Sequence, residues 1–369
     1  MAWRCIISML GIVLWLAGCS TPYRPPVVLH DSDRFPGISQ LIEKDGQRPL
    51  EVLLVHGMCT HDSNWAHEAI DGIARKIDPN YIRPKTVPGE PAVPKQIQVV
   101  TQTSQLAGAT VRLTALVWSP LTSDLKQQLA YDKTGIYTDC SVAGNTEENC
   151  KPRRSRFNGQ FKDGLLNDCL ADAMIYGGLS YETIRGEMAN TLERVLGASS
   201  TQQAGTLVFI SESLGSKILY DALTYMLLHE PGSKMNSVAA GAVNRLGLVF
   251  MAANQLPMLN LARQDVSAAK AFAASSLPND SLAGLLELRR RQPGPKSIQR
   301  LAIVAITDPN DLLSYRLMRS QYASVDVAVA NVLVSNRKTW FGLIEEPYGA
   351  HTDYLDNPDV ARLILTGWK

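Results

Sequence analysis

The stretch LVFISESLGSK at residues 207–217 runs a buried-looking apolar segment into two serines, a glutamate and a glycine, then into the helix-like SKILYDALTYML. A strand that turns abruptly into a helix can present a serine hydroxyl as a nucleophile for acyl transfer. At such a turn the residues two before and two after the nucleophile must be small, because strand and helix pass close together. Ser213 sits at the centre of the pattern, with Ser211 and Gly215 in the two small positions. The plainer reading is an ordinary strand–helix connection with a serine cap. A nucleophilic serine also needs a base, a carboxylate to orient that base, and amide donors for the oxyanion. Six histidines are available: His30, His56, His61, His67, His229 and His351. Only the last two follow Ser213, and His229 falls at the far end of the helix that the serine launches. His351 lies in EEPYGAHTDYLDNPDV, where Gly349 and Ala350 predict a mobile loop before a terminal helix starts at DNPDV. Carboxylates are offered by VAITDPNDLLSY, as Asp308 and Asp311; Asp308 followed by Pro309 also reads as a helix N-cap, which puts Asp311 at N3.

The elements that would position these groups are six short β-branched or apolar runs. They are LEVLLVHG from 50, TVRLTALVWS from 110, TLVFIS from 206, LGLVFMAAN from 246, RLAIVAIT from 300 and VAVANVLVSN from 327. Helical patterns such as NWAHEAIDGIARKI lie between them. The alternation predicts an α/β fold with a mostly parallel central sheet and helices on both faces. The interval from 120 to 200 is too long for a simple crossover and is expected to form a cap-like insertion. Within it, Asp168 and Asp172 share one face of a helical tract, four residues apart. A capping or surface-polar role is expected for that pair, ahead of metal or acid–base chemistry.

A net charge of +1 gives no global field for nucleic acid, and the basic LRRRQ at 288–292 is expected to be a solvated helix end rather than a contact for anionic lipid. The N-terminus MAWRCIISMLGIVLWLAGCS has one positive residue, an apolar run too short to span a bilayer comfortably, and a closing LAGC. It resembles a bacterial lipoprotein signal over residues 1–18, implying lipidation of Cys19. The alternative, an uncleaved anchor, also leaves the chain outside the cytoplasm. The resemblance, with serine after the cysteine, implies the periplasmic side of an outer membrane. Proline-rich residues 19–48 are expected to form a tether, with residues 49–369 as the folded domain. In an oxidising envelope the remaining cysteines can pair: Cys140 with Cys150 across a turn-rich loop, and less directly Cys59 with Cys169.

Together, HGM after the first run, SESLG, DPND after a later run and GAHT near the end resemble a serine α/β-hydrolase of the lipase/esterase superfamily, over about Leu50 to the C-terminus. The resemblance implies Ser213 as nucleophile, His351 as base and a carboxylate between them in chain order. That carboxylate is Asp311, four residues after the strand end, or alternatively Asp308. It implies an oxyanion hole from the amides of Met58 and Leu214, a structural His56, and no metal or organic cofactor. Ser211 replaces the usual first glycine of the elbow. The implied reaction is hydrolysis of carboxylic esters, with lipid acyl esters suggested by membrane location; thioester and amide cleavage use the same machinery. The competing class is a non-catalytic envelope lipoprotein that uses the fold for binding or assembly.

One outcome tests the N-terminal reading directly. Cys19→Ala should remove the mass of an attached lipid from the residue-19 peptide and move the protein out of the detergent phase in phase partitioning. Unchanged partitioning would assign membrane attachment to another part of the chain.

Overall fold

The computed structural model describes residues 19–83, 95–198, 204–264 and 280–369; the signal segment at 1–18 lies outside them. Each of the six apolar runs forms a strand: β2 (Leu50–Val55), β4 (Ala109–Val117), β5 (Leu207–Glu212), β6 (Leu246–Ala252), β7 (Leu301–Thr307) and β8 (Val327–Leu333). They are apolar on both faces because a parallel sheet is covered by helices on both sides. Two further strands escaped the reading of apolar runs. Strand β1 (Val27–Val28) is only two residues long, and β3 (Gln98–Leu106) alternates polar and apolar because it is a half-exposed edge. The eight strands lie in the order β1-β8-β7-β6-β5-β2-β4-β3, parallel except for β3 and β1 at the two edges.

This order fixes where a site can form. After β2 the chain goes to the sheet edge as β3, turns back beside β2 as β4, then crosses to the other side of β2 as β5 and continues outward through β6, β7 and β8. The direction therefore reverses between β2 and β5. Connections leave such a pair on opposite faces and open a crevice at the carboxyl ends of the strands.

The helices named below are α1 (Ile38–Asp45), α2 (Ser63–Ile77), α3 (Tyr181–Gly197), α4 (Leu214–Leu228), α5 (Lys234–Arg245), α6 (Ser281–Arg291), α7 (Pro347–Thr352) and α8 (Pro358–Thr366). One face of the sheet packs Leu53, Val55, Phe209 and Val249 under α3, α4, α5 and α6. The other packs Val52, Leu54, Ile210 and Phe250 under α1, α2 and α8. Helix α4 is buried on nearly every side because α3, α5 and α6 flank it. That is why its sequence is apolar all round rather than amphipathic.

Three expectations change. Residues 20–48 do not form a free tether. Strand β1 pairs with β8, Phe35 exchanges backbone hydrogen bonds with Trp368, and Asp33 accepts from Arg300, Arg319 and the Val329 amide. The segment carries enough apolar side chains, Phe35, Ile38 and Leu41, to join the core. The interval 120–200 divides: its last helix, α3, belongs to the layer over the sheet, and only the part before it stands over the strand ends. Within the basic run, Arg289 is buried rather than solvated, donating to the carbonyls of Val243 and Ile298. It satisfies chain ends that the packed helices leave without partners.

Phe35 sits edge-on to Phe250, with ring centroids 6.1 Å apart. Phe35→Ala should cost about 3–5 kcal/mol in urea unfolding, as for other buried phenylalanines. Deleting residues 19–37 should lower the unfolding midpoint as well. An unchanged midpoint would return the segment to the role of a passive tether.

Candidate active site

At the end of β5 the backbone of Ser213 is held at φ 51° and ψ −128°, a conformation few non-glycine residues adopt, and α4 starts at the next residue. The Ser213 amide donates to the Ala252 carbonyl at 2.8 Å, which fixes the turn against β6. The small positions around it have measurable causes. A Cβ at residue 215 would lie 2.1 Å from the His56 carbonyl oxygen, and a Cβ at residue 57 would lie 2.8 Å from that of Ser213. The elbow is thus pressed against the end of β2, and only glycine fits at both contacts. Ser211 has room. It is fully buried, and its hydroxyl is hydrogen-bonded to that of Ser216 at 2.9 Å, so the extra atom is satisfied. Ser213 is 2% exposed, and its Oγ has no hydrogen-bond partner. Of the two serines, Ser213 holds the free hydroxyl.

The loop after β2 forms the opposing wall. His56 Nε2 accepts from the Trp118 amide at 2.9 Å, so the ring proton sits on Nδ1, which donates to the Gly57 carbonyl at 2.7 Å. Burial, then the charge of His61, depress its pKa well below the ordinary histidine value. His56 is neutral and ties β2 to β4. Beyond it the loop is clamped at successive residues. The Cys59 amide donates to Asp172 at 2.9 Å, the Thr60 amide to Asp168 at 3.0 Å, and the His61 amide to Ser119 Oγ at 2.9 Å. A disulfide joins Cys59 to Cys169. Lys126 Nζ completes the clamp, 2.9 Å from Asp168 and 3.1 Å from Asp172. Burial raises the Asp172 carboxyl above the usual range despite Lys126; at Asp168 burial acts the same way but is outweighed by hydrogen bonds from Lys126 and Thr60. Asp172 is buried and Asp168 half-buried, and rather than capping a helix the two carboxylates hold a loop. Cys59, Asp168 and Cys169 lie close together, but both sulfurs are consumed by the disulfide. Between these clamped residues and Ser213, the amides of Met58 and Leu214 donate to no acceptor among the described residues.

Beyond β7, His351 Nδ1 lies 2.9 and 3.0 Å from the two oxygens of Asp311. The proton on Nδ1 leaves the Nε2 lone pair free to accept another. Asp311 also accepts from Tyr354 Oη at 3.0 Å, while that same oxygen accepts from the Asp308 amide at 2.7 Å. Asp308 makes no hydrogen bond to His351. No helix follows it; its carboxylate accepts from the amides of Asn310 and Asn336 and closes a turn. Burial raises its pKa, and burial together with Asp308 pushes Glu345 up to about 7. His351 is not on a mobile loop. It lies on α7, whose first turn is capped by Glu346 and whose Ala350 carbonyl accepts from Asn336 Nδ2 at 2.8 Å.

Strands β5 and β7 are parallel and separated by β6, so Ser213 and the turn that carries Asp311 leave the same end of the sheet, from strands about 10 Å apart. Asp356 and Asp353, in the α7–α8 connection, act electrostatically on the Glu212 carboxyl. The structure joins His351 to Asp311 but forms no hydrogen bond from His351 to Ser213. The loop disulfide Cys140–Cys150 is present as well, and Cys19 is exposed and unpaired. Tyr354, Lys126 and Asn336 were not found from the sequence. Each acts through a partner more than a dozen residues away, and no local pattern marks it.

Glu212 generates a pH test. Burial, then Asp356 and Asp353, raise its pKa from 4.5 to about 8. Below 4.5 it is protonated in both folded and unfolded chains, and its contribution to stability is fully present. As pH rises toward 8 the unfolded chain releases the proton first, so stability falls through that window. Glu212→Gln should therefore flatten the decline of Tm between pH 5 and 8 relative to the parent chain. Parallel Tm profiles would show that Glu212 ionises normally.

No protein-family model and no curated protein matches the chain.

Proposed function

We propose that the chain is a serine hydrolase with an α/β-hydrolase fold that cleaves carboxylic esters at the crevice between β2 and β5. The observation that carries this reading is the free, buried hydroxyl of Ser213, at positive φ, between two amide groups without acceptors and on the same sheet edge as the His351–Asp311 pair. Ser213 Oγ attacks the ester carbonyl while His351 Nε2 takes its proton. The oxyanion takes hydrogen bonds from the Met58 and Leu214 amides. The imidazolium, held by Asp311, returns its proton to the departing alcohol, and water then releases the acid from Ser213 by the reverse use of the same base. Transfer of the proton requires His351 and Ser213 to come into hydrogen-bond contact when substrate binds, a tightening common at hydrolytic sites. We also propose that Cys19 carries lipid and holds the domain at the periplasmic face of an outer membrane, where acyl esters of lipids are the accessible substrates.

A fluorophosphonate should label Ser213 and leave Ser213→Ala unlabelled, with Ser211→Ala still reactive. A folded chain that resists labelling would favour a non-catalytic binding protein. Asp311→Asn should lower ester turnover by about 10³–10⁴-fold with its melting temperature little changed, because the histidine loses its oriented tautomer. Asp308→Asn should retain most turnover and lose stability. The reverse pattern would transfer the orienting role to Asp308. Ester, thioester and amide substrates compared on the same enzyme define the bond cleaved.

A further inference from the structure

Between β8 and α7 the chain makes a tight turn that presents four large apolar side chains to solvent. The Trp340 amide donates to the Ile344 carbonyl at 2.8 Å, and the Leu343 amide to the Trp340 carbonyl at 2.9 Å. The tip is Phe341 and Gly342, at φ 52° and 66°. Trp340, Phe341, Leu343 and Ile344 are 55%, 49%, 86% and 62% exposed. A contiguous patch of this kind is unusual on a protein that faces only water. An aromatic residue in the left-handed region is a further local cost.

The base of this turn is bound to the residue after Cys19. Thr339 and Ser20 exchange backbone hydrogen bonds at 2.8 and 3.0 Å, and their hydroxyls meet at 2.7 Å. The end of the segment that reads as a lipoprotein signal therefore lies beside the apolar tip. Lys338 is exposed next to Thr339. Basic side chains beside Trp and aliphatic residues suit the boundary between anionic headgroups and acyl chains.

We propose that the turn at 339–344 inserts into the membrane surface and docks the domain with the His351 edge of the sheet toward the lipid. The orientation follows from connectivity: the turn leaves the carboxyl end of β8 and leads directly into α7, which carries His351. Acyl chains on Cys19 alone would tether the domain in any attitude; a second, rigid contact beside them sets one attitude. The inference rests on the lipid-anchor reading of Cys19 for the position of the membrane, and on the turn itself for the contact. It assigns the substrates to esters at a bilayer surface rather than free in solution.

Hydrogen–deuterium exchange of the full chain, with and without vesicles of phosphatidylethanolamine and phosphatidylglycerol, tests it without reference to catalysis. Peptides covering 337–346 should exchange several-fold more slowly with vesicles present. Peptides covering 323–327, at the opposite edge of the sheet, should be unaffected. The paired change Leu343→Ser with Ile344→Ser should abolish the protection while β5 and β6 keep their own slow exchange, which reports an intact fold. The mass of the residue-19 peptide reads the anchor in the same experiment. Protection at 337–346 with an unmodified Cys19 would keep the docking turn and remove the lipid anchor. A lipidated Cys19 with no protection at 337–346, equal protection at both edges, or a chain that does not float with vesicles would each overturn the docking turn.

Discussion

The contact on which the arrangement turns is the approach of Gly215 to the His56 carbonyl. A strand can pass into a helix through a residue at φ 51° only if the helix has somewhere to go, and here it passes within backbone contact of β2. The same closeness makes Gly57 necessary and brings the following amide, Met58, alongside Ser213. Strand order supplies the rest. Because the chain reverses direction between β2 and β5, the two strands that touch at this point are also the two whose loops diverge above it.

A crevice formed by diverging loops is mobile unless something holds it, and here several buried polar groups do so. Asp172, Asp168, Lys126, Ser119 and the Cys59–Cys169 bond fix one wall at consecutive residues. Tyr354, Asp308, Asn336 and Glu346 fix the other. Loops held in this way keep their polar groups in place without having to reorganise, which is the physical basis of preorganisation. Between these two held walls the Ser213 hydroxyl is left without a partner.

The parts of this arrangement that could be read in the sequence are those with local signatures. Apolar runs gave the six inner strands because burial on both faces demands them, and the elbow was legible because its small residues are required by one close crossing. The family resemblance places the carboxylate beyond the end of β7 at Asp311, with Asp308 as the alternative, and in the structure it is Asp311 that is hydrogen-bonded to His351. Long-range polar contacts were not legible. Asp168 and Asp172 are four apart on a helix, and nothing nearby shows that their partners lie over a hundred residues earlier. Composition misled at residues 20–48, where prolines and polar residues suggested a tether. Phe35, Ile38 and Leu41 fall three apart, a spacing that suits one face of a short helix, but the surrounding prolines and polar residues obscured it, and all three are buried.

The exchange of backbone hydrogen bonds between Phe35 and Trp368 bears on how the molecule is made. Contacts that close so large a fraction of the chain form late, after the intervening loop has been ordered. A nascent chain cannot make this one until residue 368 has left the ribosome, and β1 must likewise wait for β8. Completion of this sheet edge therefore waits for β8, and until β1 covers it β8 presents an unpaired strand edge that can recruit other strands.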